Sequence, residues 1–114
     1  HSGLSSIEHI RLPRASTHAA HTFNQYCIVL VNEEERSHLM NFLKENGIAT
    51  MIYYPKPIHL QKAFLKYRDS QINLSVSEDI CTRILALPIF PTMNEVQQDY
   101  IIENIKIFFN KNDN

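Results

Sequence analysis

The sequence predicts a small two-layer α/β domain in which helices cover a sheet of about three strands. Three observations lead to this prediction. Apolar runs of strand length alternate with segments of helical periodicity, capping residues precede the helical segments, and glycine or proline separates elements. The predicted order is β-α-β-α-α-β-α. A chain of 114 residues with 44% hydrophobic residues is expected to form a single domain over residues 1–114.

The α/β domain is expected over residues 23–110, after a lead-in segment. Residues 4–22 contain Pro13 and show little periodicity, so they are predicted to be extended, with one short strand at 8–12. The opening letters HSG carry no structural signal, which fits the remnant of an expression tag. Residues 1–3 are therefore assigned no role.

The first strand of the domain is predicted within TFNQYCIVLV, residues 22–31. Residues on both sides of its pleat are apolar, which is typical of a central strand covered on both faces. A helix follows, with Asn32 as N-cap, Glu35 at the capping-box position and Gly47 as a left-handed C-cap.

A second strand is predicted directly after this helix, from Ile48 to Tyr53 or Tyr54. Together the three elements form a strand-helix-strand unit. Such a unit predicts parallel neighbouring strands joined by a right-handed crossover.

Four further elements are predicted downstream: a short helix at 60–67, a longer helix at 75–87, a short strand at 87–90 and a last helix to about Asn110. The longer helix opens with the capping pair Ser75 and Glu78. The last helix opens with the pair Thr92 and Glu95.

The last helix carries more apolar residues than one packing surface needs. Its apolar stripe consists of Val96, Tyr100, Ile101, Ile105, Phe108 and Phe109. Ile102 and Ile107 lie off this stripe. We therefore expect polypeptide outside the small sheet to cover this helix.

The composition excludes several classes of function. A formal net charge of −1 provides neither a basic stripe for nucleic acid nor a polybasic run for a membrane surface. Because no apolar run approaches the roughly 20 residues that span a bilayer and no signal-peptide pattern is present, a cytoplasmic location is expected. Cys27 and Cys81 lack disulfide-scaffold density and metal-ligand spacing, so both are expected to be reduced, buried thiols.

Several kinds of catalytic or cofactor site find no support in the sequence. Among 6 histidines, His18 and His21 are three apart, but no second cluster of ligands accompanies them, and no metal is expected. Gly-x-Ser-x-Gly is absent, and neither cysteine has a histidine at suggestive spacing. With only Gly3 and Gly47, a glycine-rich phosphate loop is excluded.

Polar and aromatic residues concentrate in MIYYPKPIHLQ, residues 51–61, which we call the proline corner. Successive strand residues point to opposite faces, so Tyr53 and Tyr54 diverge unless Pro55 breaks the pleat. Ligands of α/β sheets favour strand carboxyl ends, so one phenol would meet a ligand there. Alternatively both phenols pack with satisfied hydroxyls, and His59 and Gln61 are ordinary exposed residues. The residues alone leave both interpretations open.

Three segments together resemble the carboxy-terminal domain of the DegT and StrS family of pyridoxal-phosphate-dependent sugar aminotransferases. They are HTFNQYCIVL, LKENGIATMIYYPKPIHLQKAF and VSEDICTRILALPIFPTMNEVQQDYIIENI. The positions that match the family pattern in order are His21, Phe23, Asn24, Tyr26, Gly47, Ile48, Thr50, Tyr53, Tyr54, Pro55, Pro57, His59, Gln61, Leu85, Leu87, Pro88 and Pro91. The resemblance covers about residues 7–109 and implies the small domain of an aspartate-aminotransferase-type fold.

The resemblance also implies an activity and its site. Glutamate would donate an amino group to a keto sugar nucleotide, with pyridoxal phosphate carrying the nitrogen. Tyr53, Tyr54 and His59 would contact the sugar or its nucleotide, and Asn24 and Lys56 are weaker candidates. The chain would provide one wall of the substrate cleft, against an upstream large cofactor-binding domain and a homodimer mate.

The chain departs from a whole enzyme of this family. The lysine that binds the cofactor covalently, and the acid that holds its pyridine nitrogen, belong to the upstream domain. Lys44 and Lys56 are typical of the lysines here, which lack the desolvated context that lowers an amine pKa. The chain is therefore expected to be a fragment that binds no cofactor and is inactive alone. The alternative is a stand-alone ligand-binding or regulatory α/β module.

Overall fold

The computed structural model describes residues 1–69 and 71–112. In these residues the strands are β1 (Ile10–Arg11), β2 (Tyr26–Leu30) and β3 (Ile84–Leu87). The α-helices are α1 (Glu33–Glu45), α2 (Ser75–Arg83) and α3 (Glu95–Asn112). Short 3-10 helices cover Ser2–Leu4, Ile58–Leu60 and Leu65–Tyr67. The predicted small α/β domain is confirmed.

The described part of the chain forms one three-stranded sheet in the order β1-β2-β3, with both pairs antiparallel. Cys27 is opposite Ala86, and Ile28 is opposite Leu85. β2 is therefore the central strand, as its apolar sequence predicted. The prediction of parallel neighbours is wrong.

The error arises at residues 48–54, which were expected to form a whole strand. Only Met51 pairs with the sheet, in a single antiparallel bridge to Ala86. Beyond it, Pro55 and Pro57 offer no N–H to a ladder, so pairing does not continue. Without a full second strand, the predicted parallel crossover does not exist.

One face of the sheet holds the hydrophobic core. Ile28 and Leu30 of β2 are buried together with Leu85 and Leu87 of β3. The helical layer supplies Leu39, Leu43, Ile105, Phe108 and Phe109 to this core. On the opposite face Cys27 and Val29 are only half-buried, so the expected cover on both faces is incomplete.

Asn32 and Gly47 cap α1 as predicted, whereas the Glu35 carboxylate, expected to complete a capping box, accepts from the Val31 N–H at 3.3 Å. Asn32 Oδ1 accepts a hydrogen bond from the Glu35 N–H at 2.8 Å. Gly47 adopts a φ of 73°, a left-handed conformation in which glycine avoids the Cβ penalty. α1 therefore begins and ends where local sequence chemistry places its caps.

The elements between α1 and β3 differ from prediction. The expected helix at 60–67 is replaced by the two 3-10 turns from Ile58 and Leu65, because these exposed residues provide no buried face to stabilise a short helix. α2 ends at Arg83, earlier than expected, and the following apolar residues form β3. The strand expected at 87–90 lies at Ile84–Leu87, because Pro88 cannot donate to a ladder.

Two predicted capping pairs are also corrected. Ser75 does not cap α2; its N–H instead donates to Asn73 Oδ1 at 2.9 Å. Asn94 and Gln97 form a reciprocal capping box before α3, with bonds of 2.9 and 3.1 Å. Asparagine is a stronger N-cap than threonine, which explains why α3 begins after Asn94 rather than after Thr92.

The amino-terminal residues pack against the domain. Leu4 is buried, and a Cβ at Gly3 would lie 2.7 Å from Ile102 Cδ1 on α3. The strand predicted at 8–12 is confirmed as the two-residue β1. In residues 1–69 and 71–112, the helices lack the length and apolarity needed to cross a membrane.

Candidate functional site

The sheet face opposite the core carries a groove beside the proline corner. One cavity of about 270 Å³ is lined by Asn24, Gln25, Ala49, Thr50, Met51, Tyr53, Ala86, Leu87, Pro88, Ile89 and Phe90. A second, of about 40 Å³, is lined by Gln25, Cys27, Met51, Tyr53, Tyr54, Ile84 and Ala86. Because Gln25, Met51, Tyr53 and Ala86 line both, we treat them together as the sheet-face groove.

The groove has uncharged polar groups around an apolar floor. Its side-chain hydrogen-bonding groups are the amides of Asn24 and Gln25, the Thr50 hydroxyl and the phenols of Tyr53 and Tyr54. Its volume is near the lower end of the range typical of small-molecule sites, roughly 300 Å³ and upward. The groove therefore suits a small ligand with many hydroxyl groups better than an ion.

A tight turn before β2 presents Asn24 to the groove. Phe23 has a φ of 47°, a conformation that costs free energy in a residue with a side chain. The His21 ring stabilises this turn, because its Nδ1 accepts a hydrogen bond from the Phe23 N–H at 2.9 Å. The Phe23 ring lies between those of His21 and Tyr26, at centroid distances of 4.2 and 5.8 Å.

The two tyrosines of the proline corner stand at the rim of the groove. Tyr53 is 52% exposed and Tyr54 is 60% exposed, so neither ring is enclosed in the core. Both nevertheless line the smaller cavity. The structure thus brings Asn24, Tyr53 and Tyr54 to one site, with both phenols accessible to a ligand.

His59 and Lys56 have different surroundings. His59 Nε2 lies 2.8 Å from Glu78 Oε1 of α2, and the His59 side chain is only 17% exposed. Lys56 is exposed, and its backbone carbonyl accepts a hydrogen bond from Gln61 Nε2 at 3.4 Å. Neither residue lines the sheet-face groove, so a ligand contact by either stays a prediction.

Two titratable groups near the groove are shifted by burial. Burial raises the pKa of the Cys27 thiol, which lines the smaller cavity. Burial also raises the pKa of the Tyr26 phenol, whose hydroxyl lies 3.1 Å from His1 Nδ1. Both groups therefore remain neutral near pH 7, and Cys27 is not an activated nucleophile. Cys27 and Cys81 are unpaired thiols and are half-buried rather than buried, as had been expected.

Sequence reasoning missed Gln25, Cys27 and Glu78. Gln25 lies between the predicted site residue Asn24 and the start of β2. This adjacency to Asn24 could have identified Gln25 as a site residue. Cys27 was assigned to the strand's buried interior, whereas its side of β2 faces the groove. Glu78 was interpreted as a helix cap, and no local pattern connects it with His59, which is 19 residues away.

Comparison with known proteins decides the family. The model of the DegT/DnrJ/EryC1/StrS aminotransferase family matches residues 1–106. The chain belongs to this family. The resemblance carried by the proline corner and its flanking segments is thereby confirmed.

Individual known proteins resemble the chain over most of its length. A pleiotropic regulatory protein of Geobacillus stearothermophilus is 45% identical over 91 residues, covering 78% of this chain and 23% of that protein. The UDP-N-acetyl-3-dehydro-alpha-D-glucosamine 3-aminotransferase of Acidithiobacillus ferrooxidans is 38% identical over 88 residues, covering 77% and 22%. The chain thus spans about a quarter of these relatives' length.

A solved structure confirms the fold expected from the resemblance. The DegT/DnrJ/EryC1/StrS aminotransferase from Brucella abortus aligns with a TM-score of 0.83 and 36% sequence identity. The alignment covers 94% of this chain and 27% of that one. The small domain described here is therefore an aminotransferase-family fold.

Members of this family use pyridoxal phosphate, whose covalent attachment requires a lysine at the site. The lining of the groove contains no lysine. Lys106 pairs with Glu103 at 3.0 Å, and Lys66 and Lys111 lie over aromatic rings. In the described ranges, 1–69 and 71–112, no cluster of three or more His, Cys, Asp or Glu could hold a metal ion.

Proposed function

We propose that the chain is the carboxy-terminal domain of a nucleotide-sugar aminotransferase and forms one wall of its substrate cleft. The reaction would move an amino group from glutamate to a keto sugar nucleotide. Pyridoxal phosphate, bound by polypeptide other than this chain, would carry the nitrogen between them. The cytoplasm, expected from the sequence, stays the predicted location.

The groove composition is the observation that carries this proposal. Asn24 and Thr50 can donate to and accept from sugar hydroxyls, and the phenols of Tyr53 and Tyr54 offer both a hydroxyl and an apolar ring. The apolar lining, which includes Ala86 and Phe90, suits the less polar face of a sugar ring. Such a site fixes orientation with few polar groups on an apolar surface, as small-molecule sites usually do.

Two further residues of the proline corner complete the proposed site. Lys56 is a weaker candidate, whose exposed ammonium suits the phosphates of a nucleotide better than the sugar. His59 was expected to contact the ligand directly, but its bond to Glu78 favours a supporting role within the corner. Neither assignment is needed for the sugar to occupy the groove.

The proposed partners are an upstream large cofactor-binding domain and a homodimer mate. Support comes from apolar residues that the domain leaves uncovered, among them Phe90, Val96 and Tyr100. Gly47, Val96 and Tyr100 also line an apolar cavity of about 440 Å³ beside α3. A larger protein would bury these surfaces, which the chain alone exposes.

The test of the proposed function is to express the complete reading frame that contains this sequence and screen keto-sugar nucleotides with glutamate. Formation of an amino sugar nucleotide, dependent on pyridoxal phosphate, is the expected result. Absence of amination across the sugar-nucleotide panel, from a folded protein loaded with the cofactor, would contradict the proposal.

A second experiment tests whether this chain alone is incapable of catalysis. The 114-residue chain is mixed with pyridoxal phosphate, reduced with borohydride and mapped by mass spectrometry. No single lysine should be labelled stoichiometrically, because none lies in the groove. Stoichiometric labelling of one lysine would show that the chain does contain a cofactor site.

The alternative function is a stand-alone ligand-binding or regulatory module. The name of the Geobacillus stearothermophilus relative, a pleiotropic regulatory protein, favours this alternative. The upstream reading frame distinguishes the two functions, because the aminotransferase requires a cofactor-binding lysine there. A frame without such a lysine, together with ligand binding by the chain alone, would favour the module.

A further inference from the structure

Hydrogen bonds attach the proline corner to the rest of the domain at two points, and Ile52 packs against the hydrophobic core beside the first of them. At one end, the Met51 N–H donates to the Ala86 carbonyl at 3.0 Å, and the Ala86 N–H donates back at 2.9 Å. At the other end, His59 Nε2 lies 2.8 Å from Glu78 Oε1. The remaining hydrogen bonds of residues 52–60, as far as the described chain shows, stay within the corner itself.

Glu78 belongs to a helix that is well fixed to the sheet. Arg83, at the end of α2, donates through Nη1 to the Leu30 carbonyl of β2 at 2.9 Å. Arg36 of α1 donates to the Cys81 carbonyl at 3.4 Å. α2 also leads directly into β3, whose Ile84 and Ala86 line the groove. The position of Glu78 is therefore set by the same sheet that forms the groove floor.

We propose that Glu78 is a positioning residue, which acts through His59 to hold Tyr53 and Tyr54 over the sheet-face groove. Residues 53–58 lie between the two attachments, so loss of the Glu78 contact leaves the corner held only by the Met51 bridge and the adjacent packing of Ile52. The role of the two tyrosines rests on the proposed function, whereas the attachment itself does not.

The hydrogen bond between His59 and Glu78 is suited to hold the proline corner in place. The His59 side chain is 17% exposed and that of Glu78 is 42% exposed, so water screens the contact only in part. A carboxylate acceptor makes such a hydrogen bond stronger than a neutral pair does. Pro57, just before the 3-10 turn that carries His59, fixes the local φ at −58° and limits the histidine's freedom.

The test compares amide hydrogen exchange in the full chain and in three variants. Glu78→Ala removes the acceptor, and Glu78→Gln keeps a side-chain oxygen that can accept from His59 Nε2–H. Glu34→Ala is the matched control, because Glu34 is likewise a first-turn acid, on α1. Exchange is followed at the Leu60 and Gln61 amides, which donate to the Pro57 and Ile58 carbonyls, and, as an internal reference, in residues 39–43 of α1.

In Glu78→Ala, exchange at the Leu60 and Gln61 amides should be about tenfold faster while the α1 reference is unchanged. Glu78→Gln and Glu34→Ala should remain within about twofold of the unmodified chain. Unchanged exchange in Glu78→Ala, equal acceleration in both segments, or equal acceleration in Glu78→Gln would each overturn the proposal. The measurement needs no substrate, so a negative sugar-nucleotide screen leaves it standing, and the two proposals fail separately.

Discussion

Tyr53 and Tyr54 share one cavity although they are adjacent in sequence. In a regular strand their side chains would point to opposite faces of the sheet. Sheet pairing stops at Met51, and the chain bends at Tyr53. The backbone is then free of the pleat before Pro55, and both rings reach the rim of the groove. A single bridge followed by a proline segment thus creates the candidate site.

Tyr54→Phe in the complete protein should lower kcat/KM for the sugar nucleotide about tenfold, the effect of one lost hydrogen bond. The free energy of unfolding should change by less than about 0.5 kcal/mol, because only an exposed hydroxyl is removed. Steady-state kinetics and thermal unfolding measure the two effects. Tyr67→Phe is the matched control, since Tyr67 is 72% exposed and lies outside the groove. Unchanged kinetics in Tyr54→Phe would show that the Tyr54 hydroxyl does not contact the substrate.

Cys27 should react slowly with iodoacetamide in the folded chain, because burial raises the pKa of its thiol and the thiolate is the reactive form. A Cys81→Ser variant isolates Cys27, and mass spectrometry follows alkylation against pH. The midpoint should lie above that of the same thiol in urea.

The raised pKa has a consequence for stability. Because the folded-state pKa of Cys27 exceeds the unfolded value, its contribution to stability is fully present below the unfolded pKa. That contribution is lost as pH rises through the folded-state pKa. Equal alkylation midpoints in folded and unfolded chains would contradict the shift.

At the level of elements, caps decide where helices begin. Asn94 precedes α3 and exchanges hydrogen bonds with Gln97. Thr92 had the same sequence pattern with Glu95, but asparagine is the stronger N-cap. This local preference accounts for a helix that begins after Asn94.

Asn94→Ala should lower the free energy of unfolding by about 1 kcal/mol, because the α3 N-cap loses its acceptor. Thr92→Ala, the matched control, should change it by less than about 0.5 kcal/mol. Urea denaturation of the two variants measures the difference. If Thr92→Ala were the more destabilising change, the cap would lie where the sequence pattern first indicated.

For the whole molecule, the exposed area is larger than its mass predicts. The accessible surface is 8395 Å² for 13.3 kDa. A monomeric protein of this mass exposes about 6,500 Å². The radius of gyration is 16.0 Å, against about 13 Å for a compact domain of this length. Extended segments and uncovered apolar residues account for the larger surface area and the larger radius of gyration. Both values fit the expectation that polypeptide outside this sheet covers α3.

Two isoleucines of α3 differ in burial, since one side of the helix packs in the core and the other is uncovered. Ile105 is fully buried and Ile107 is 42% exposed. Ile105→Ala should cost about 2–5 kcal/mol of unfolding free energy, because it leaves a cavity in the core. Ile107→Ala should cost less than about 1 kcal/mol, since little packing is lost. Urea denaturation of the chain gives both values, and similar losses would mean that α3 is buried on both sides.

Much of the domain was predictable where local chemistry decides structure. The caps of α1, the central position of β2 and the apolar excess of α3 follow from the letters around Asn32, Cys27 and Ile107. The corner residues Tyr53 and Tyr54 were identified as site residues through the family resemblance, because the ordered combination of motifs around them is specific. Their position at the end of a predicted strand did not by itself decide whether they bind a ligand or pack.

Sequence by itself determined the class of fold, the helix ends with strong caps, and the segment that carries the candidate site. These depend on periodicity, on backbone preferences and on contacts between near neighbours. Only the tertiary structure decided that the sheet is antiparallel, that Gln25 lines the groove with Asn24, and that His59 bonds Glu78. Each of these depends on long-range contacts, and the free energy of such contacts depends on how the whole chain packs rather than on any local stretch.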